Sequence, residues 1–172
     1  MRRKALFITA ALTAVMGVGS YALAEGTASA TLKDGEGKEV GTAKITETPN
    51  GILIALDLAS IPVGAHAFHV HAVGKCEGPD FKSAGPHFNP DDAKHGIMNQ
   101  HGPHAGDMPN LEVPADGKLQ VEVLNTLVWL KGENSIFDDD GAAVVIHAKA
   151  DDYKTDPAGD AGDRIACGVI AQ

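Results

Sequence analysis

Six of the chain's eight histidines fall between Phe68 and Asp107, in the order His69, His71, His87, His95, His101 and His104. Imidazole is the commonest transition-metal ligand near neutral pH, and six rings exceed what one ordinary metal site needs. Asp107 adds a carboxylate at the end of this stretch, and His147 adds an imidazole farther on. Residues of these types, packed this densely, point to the binding of two metal ions.

The spacing divides the ligands into two groups. Residues i and i+2 of a strand point to the same face, about 6.5–7 Å apart. His69 and His71 can therefore converge while Phe68 and Val70 turn toward a core. His147 closes the run Val144-Val145-Ile146, so a neighbouring strand can bring a third imidazole to that face. The other group is His87, His95, His104 and Asp107, a closed set of three imidazoles and a carboxylate suited to zinc. Three strand imidazoles suffice for an open zinc site but are thin for copper. Sharing His87 removes the shortfall, because a deprotonated imidazole offers a lone pair at each nitrogen and can join two cations. The strand group then has four nitrogens, a set that suits Cu(II).

These side chains need a scaffold, and the flanking sequence predicts one made of strands. Ala28, Ala30 and Leu32 alternate with polar residues, as do Ala43 and Ile45. Ile52, Ile54, Leu56 and Leu58 follow Pro49-Asn50-Gly51, and Leu119, Val121 and Val123 follow Asp116-Gly117. Val144 to Ala148 follows Asp140-Gly141, and Ile165 to Ile170 lies near the end. Short alternating strands with Asn-Gly and Asp-Gly turns indicate an antiparallel sandwich or barrel. Two regions resist assignment to strands, roughly 73–110 and 149–164. A loop of about forty residues is abnormal in a small domain unless something orders it, and ordered long loops tend to be functional. Trp129, the only tryptophan, is expected in the core.

Arg2-Arg3-Lys4, the apolar run Ala5 to Gly19, and Ala22-Leu23-Ala24 have the pattern of a secretory signal peptide. Residues 1–24 are therefore expected to be cleaved near Ala24, leaving one exported domain, 25–172, with no membrane anchor. Cleavage removes three basic residues and no acidic ones, from a chain whose formal net charge is already −9. So acidic a chain, without a basic cluster, argues against nucleic acid as a partner. Cys76 and Cys167 are expected to pair in an oxidising compartment. Closing so long a loop stabilises by about 4–5 kcal/mol in the chain-entropy account.

The motifs carry a resemblance. Phe-His-Val-His, Ser-Ala-Gly-Pro-His-Phe-Asn-Pro, Lys-His-Gly, His-Ala-Gly-Asp, Val-Val-Ile-His-Ala-Lys-Ala-Asp-Asp and Arg-Ile-Ala-Cys-Gly-Val-Ile closely resemble the copper/zinc superoxide dismutases. With the leader, the chain looks like their exported, periplasmic bacterial branch. The resemblance implies an eight-stranded antiparallel Greek-key sandwich or barrel with two long functional loops. It implies one copper per subunit on His69, His71, His87 and His147, and one zinc on His87, His95, His104 and Asp107. His87 becomes the bridging imidazolate, and Cys76 and Cys167 take the family's disulfide positions. Arg164 matches the arginine beside copper, and Asp151 the carboxylate that hydrogen-bonds a histidine of each metal group. His66 matches a structural histidine, and His101 has no counterpart role.

The implied reaction is disproportionation of superoxide to dioxygen and hydrogen peroxide, with copper alternating between Cu(II) and Cu(I). Zinc is redox-silent and structural. His87 would release and regain the copper bond while carrying a proton, and Arg164 would hold the anion. In so acidic a chain, a local positive funnel of Arg164, the metals and Lys154 is expected to guide superoxide inward. The resemblance leaves monomer and homodimer both open. Two other readings stand beside it: a metal-buffering protein without turnover, and a zinc hydrolase using only the three-histidine site. The first leaves Arg164 unexplained, and the second leaves the shared His87 unexplained.

Overall fold

The computed structural model describes residues 26–172. The expected leader, residues 1–24, and Glu25 lie outside the described residues. Among the described residues nine strands form: β1 (Thr27–Asp34), β2 (Glu39–Thr48), β3 (Gly51–Ala59), β4 (Gly64–His66), β5 (Phe68–His71), β6 (Leu111–Val113), β7 (Lys118–Asn125), β8 (Ala143–His147) and β9 (Arg164–Val169). Seven lie in one curled antiparallel sheet, in the order β5-β8-β9-β1-β2-β3-β7, and β4 pairs with β6. The β4 and β5 segments are one run of chain that changes partner at Ala67. Ala67 N donates to Lys149 O, and His147 N donates to Ala67 O. Taken as one bent strand, they reduce the nine segments to the eight of the expected Greek-key pattern.

Alternation sets the faces, as the sequence predicts. Ala28, Ala30, Leu32, Ala43, Ile45, Ile52, Ile54, Leu56 and Leu58 are all buried in one core. Leu119, Val121 and Val123 face it too, but are only partly covered because β7 is the last strand of its sheet. Trp129 departs from expectation: it is half-buried, while its neighbours Val128 and Leu130 fill the core. Side chains alternate along an extended segment, so one register cannot bury all three.

Strand β8 explains how the ligands acquire a platform. All five of its residues are buried. Val144 and Ile146 enter the main core, whereas Ala143 and Val145 meet a second cluster with Phe81, Ala84 and Cys167. That second cluster seats the long loop against the outer side of the sheet. His69 and His71 emerge on this outer side, paired across the ladder with Val145 and Ala143. On β9 the register shifts, so that Ala166 faces Ile146 while Arg164 faces His147. The extra residue, Ile165, packs partly on the core. This bulge turns Arg164 to the outer side, where strict alternation would have turned it inward.

The loop is tied down at both ends. A disulfide joins Cys76 to Cys167 on β9, and the Arg164 guanidinium donates to Phe81 O and Gly85 O, both at 2.7 Å. The loop also covers the open edge of β5. Val70 N donates to Gly106 O, Phe88 N to Val70 O, and Gly106 N to Phe88 O. A side chain at Gly106 would strike Val70 O, so only glycine permits this approach.

Reduction of the disulfide therefore removes one of the two ties and loosens the loop from Cys76 toward Phe81 while the sheet ladders persist. Zinc retention should fall before far-UV circular dichroism changes. Unaltered zinc affinity in the reduced protein would contradict this account.

Candidate metal centre

The structure brings every expected ligand into one buried centre. His69 and His71 come from β5, His147 from the end of β8, and His87, His95, His104 and Asp107 from the loop between β5 and β6. In each of two groups, His69-His71-His87-His147 and His87-His95-His104-Asp107, the candidate ligand atoms lie within 4.8 Å of one another. His87 belongs to both.

Ring orientation distinguishes the groups. His87 Nδ1 lies 2.8 Å from Asp107 Oδ1, His95 Nδ1 lies 3.1 Å from the same carboxylate, and His104 Nδ1 is at 3.4 Å. The three loop imidazoles thus all present Nδ1. Asp107 is aimed by two backbone donors, Gly96 N at 2.8 Å and His104 N at 3.0 Å. In the other group, His71 Nε2 and His147 Nε2 are 3.3 Å apart. Ligand atoms at about 2.0–2.1 Å from a tetrahedral zinc are about 3.4 Å apart, which matches His104 Nδ1 to His87 Nδ1 in the loop group, at 3.4 Å.

Two atoms test whether the groups fit a metal. His69 Nδ1 and His87 Nε2 are fully buried and have no hydrogen-bond partner. A buried polar atom left unmatched costs about 1–3 kcal/mol, and both belong to the four-imidazole group. A cation among the four nitrogens would satisfy both, so the donor set fits one.

The remaining ring nitrogens are held by the protein. His69 Nε2 lies 2.8 Å from Asp151 Oδ2, and His95 Nε2 lies 2.9 Å from Asp151 Oδ1. Asp151 thus spans one ring of each group, its backbone fixed by Asn110. Gly159, at φ 64°, leaves room for it; a side chain there would strike Asp151 Oδ1. His71 Nδ1 donates to Gly85 O at 2.9 Å, the carbonyl that also accepts from Arg164. His66 lies outside both groups, with ring nitrogens against His147 O and Pro62 O. His101 is exposed and joins neither group.

Burial and neighbouring charge separate the ionisation of these rings. Burial lowers His87 to about 4 and His147 to about 3, with nearby histidines adding to the effect. His71 is likewise held well below its usual value by burial and by His87. Burial also opposes the charging of His95, but hydrogen bonds to Asp107 and Asp151 outweigh it and raise the ring to about 9. Asp107 and Asp151 are buried as well, and the histidine hydrogen bonds hold both far below the usual carboxylate range.

Sequence reasoning missed one cation. A surface cavity of about 510 Å³ is lined by Arg164, Lys82, Asp80, Asp163, Gly162 and Pro79. Lys82 is the lysine beside Arg164; Lys154 is not in this lining, and its backbone packs against Gly96 of the loop instead. The only signal in the sequence was a lysine within the ligand-bearing loop. Arg164 makes no ion pair to Asp160 or Asp163 among the described residues, since its donors go to carbonyls.

Comparison with known proteins agrees with this geometry. The sequence profile described as copper/zinc superoxide dismutase matches residues 39–170. The chain is 52% identical over 138 residues to copper–zinc superoxide dismutase 1 of Aquifex aeolicus, covering 78% of this chain and 82% of that one. It is 44% identical over 147 residues to the Caulobacter vibrioides copper–zinc superoxide dismutase, covering 83% and 84%. The crystal structure of a superoxide dismutase-like protein from Bacillus subtilis superposes with a TM-score of 0.78. That pair shares 43% identity over 82% of this chain and 96% of the other.

The rings' ionisation predicts how the metal-free protein responds to acid. His87 and His147 have folded values of about 4 and 3, against about 6.5 for an unfolded histidine. The unfolded chain therefore binds more protons in this window, and stability should fall as pH drops from about 6.5 toward 4. A thermal-unfolding midpoint that stays flat across that interval would contradict the assignment. The His147→Gln variant should show a shallower slope than the parent.

Proposed function

The chain belongs to the copper/zinc superoxide dismutase family, and on that premise we propose which residues perform its reaction. The enzyme disproportionates superoxide to dioxygen and hydrogen peroxide. His69 Nδ1 with Nε2 of His71, His87 and His147 would hold copper. His87, His95 and His104 through Nδ1, with Asp107, would hold zinc. The observation that carries the reading is His87, whose two nitrogens face the two groups. Bound copper supplies the one-electron redox couple, and bound zinc supplies a fixed positive charge.

The protein's own groups do the rest. With Nδ1 turned to the Asp107 group, the His87 ring aims Nε2 at the other three imidazoles, where it can hold a proton destined for the product. Arg164 is held beside the copper group by two loop carbonyls, and its guanidinium offers a permanent cation to a small anion. The Phe81, Ala84 and Val145 cluster seals the adjoining side of the loop from water. Asp151 orients one ring of each group and couples the geometry of the two sites.

The surroundings agree with an exported enzyme. A disulfide is in place, and such bonds persist in oxidising compartments. We read residues 1–24 as a cleaved leader and residues 25–172 as one periplasmic domain. No described helix is long and apolar enough to cross a membrane. The acidic balance, 23 acidic against 14 basic residues, disfavours a polyanion partner.

Two experiments test this reading. His87→Ala should bind copper at the remaining imidazoles yet lose about 10²–10⁴ in turnover, the range of a positioned proton donor. Retained turnover, or an unchanged copper paramagnetic resonance spectrum on zinc removal, would refute the shared ring. For the cavity, Lys82→Gln should lower kcat/KM at low ionic strength. Asp80→Asn, which frees Lys82 from an exposed pair at 2.7 Å, should raise it. Both effects should vanish at high salt, and salt-independent rates would remove Lys82 from the steering.

A further inference from the structure

The loop between β8 and β9 meets the zinc group at a second carboxylate, separate from Asp151. Asp156 Oδ1 accepts the backbone N–H of His95 at 2.9 Å, and Asp156 Oδ2 accepts from Lys94 Nζ at 3.2 Å. The same carboxylate stands 3.9 Å from His104 Nε2. That nitrogen makes no hydrogen bond among the described residues, although His104 is only 6% exposed. Asp156, Lys94 and His104 share the lining of a cavity of about 520 Å³ that also reaches His87. This cavity joins the zinc group to the surface.

We propose that Asp156 is a positioning residue for zinc, holding His95 by its backbone and standing as the charge that faces the outer nitrogen of His104, and so limiting escape through this cavity. The proposal rests on the reading of His87, His95, His104 and Asp107 as the zinc ligands. A neutral imidazole that binds metal through Nδ1 must carry its proton on Nε2. In His95 that proton meets Asp151; in His104 it points toward Asp156. A carboxylate behind a metal-bound histidine fixes the tautomer and ring direction and raises ligand basicity. Lys94 keeps Asp156 in place, and the charge-assisted bond to His95 N fixes the backbone from which that ring projects.

The test uses the copper- and zinc-loaded protein and follows the release of each metal to a chelator. Asp156→Ala should release zinc about 10–100 times faster than the parent, the usual cost of removing such a partner. Asp156→Asn should fall between them, because its amide oxygen can still accept from His95 N. Copper release should change by less than about twofold in both variants, since Asp156 touches no copper ligand other than through the zinc group. Cobalt placed in the zinc site should show an altered visible spectrum in Asp156→Ala. Parental zinc release and an unshifted cobalt spectrum would overturn the proposal. Equal acceleration of both metals would overturn it too, because it would mean general loosening of the loop. Should Asp156→Ala fail to fold, Asp156→Asn decides by the same measurements. If the parent itself binds no zinc at a four-ligand site, the ligand assignment fails instead.

Discussion

Two ring nitrogens, His69 Nδ1 and His87 Nε2, are sealed from water with no protein group to bond. Hydrogen-bond satisfaction is close to obligatory for buried polar atoms, so this pair is a debt in the metal-free fold. Around it lie further rings that burial keeps neutral and thus able to donate lone pairs. The arrangement disfavours protons and favours a cation that takes several nitrogens together. Near Asp107 the balance is reversed. There His95 is raised to about 9 between two carboxylates, so positive charge is favoured even without metal. One centre thus holds a neutral, nitrogen-rich half and an anionic half, joined at His87.

The scaffold exists to keep this costly cluster closed. Strand β8 is buried on both faces, one against the sandwich core and one against the loop. Burial on both sides permits a near-continuous apolar run, as in Val144-Val145-Ile146. The bulge before Arg164 places that side chain on the ligand side of the sheet. From there its guanidinium, together with the disulfide, pins the loop at Cys76, Phe81 and Gly85. The β8–β9 loop closes the opposite flank through Asp151, Asp156 and Gly159. Asp151 reaches one ring of each group, and the other clamps each fix a different ring or backbone segment.

Electrostatics at the surface follows the same division. The chain as a whole is acidic, but in the cavity beside the copper group Arg164 and Lys82 offset Asp80 and Asp163. The zinc side is approached past Asp92, Asp138, Asp140 and Asp156, with Lys94 among them. The first approach is thus locally balanced, with Arg164 as its cation nearest the centre, and the second is acidic. Low-dielectric walls and short distances let these local charges act against the general field.

The ligands were legible in the sequence because metal binding constrains residue type so tightly. Six histidines in forty residues have few other uses, and the i, i+2 spacing of His69 and His71 already fixed their common face. Period-two alternation likewise revealed the strands whose side chains alternate between core and solvent. Trp129 was misjudged, because apolar character says nothing about which register the flanking Val128 and Leu130 will take. Lys82 and Asp156 were invisible as functional groups, since each lies far along the chain from what it faces. By itself, the sequence determined the donor atoms available and the sheet that carries them. Tertiary structure alone decided which nitrogen of each ring points inward, which cation stands beside Arg164, and which carboxylate backs which imidazole. Those choices depend on loop packing and a strand bulge, and neither leaves a periodic trace in the order of residues.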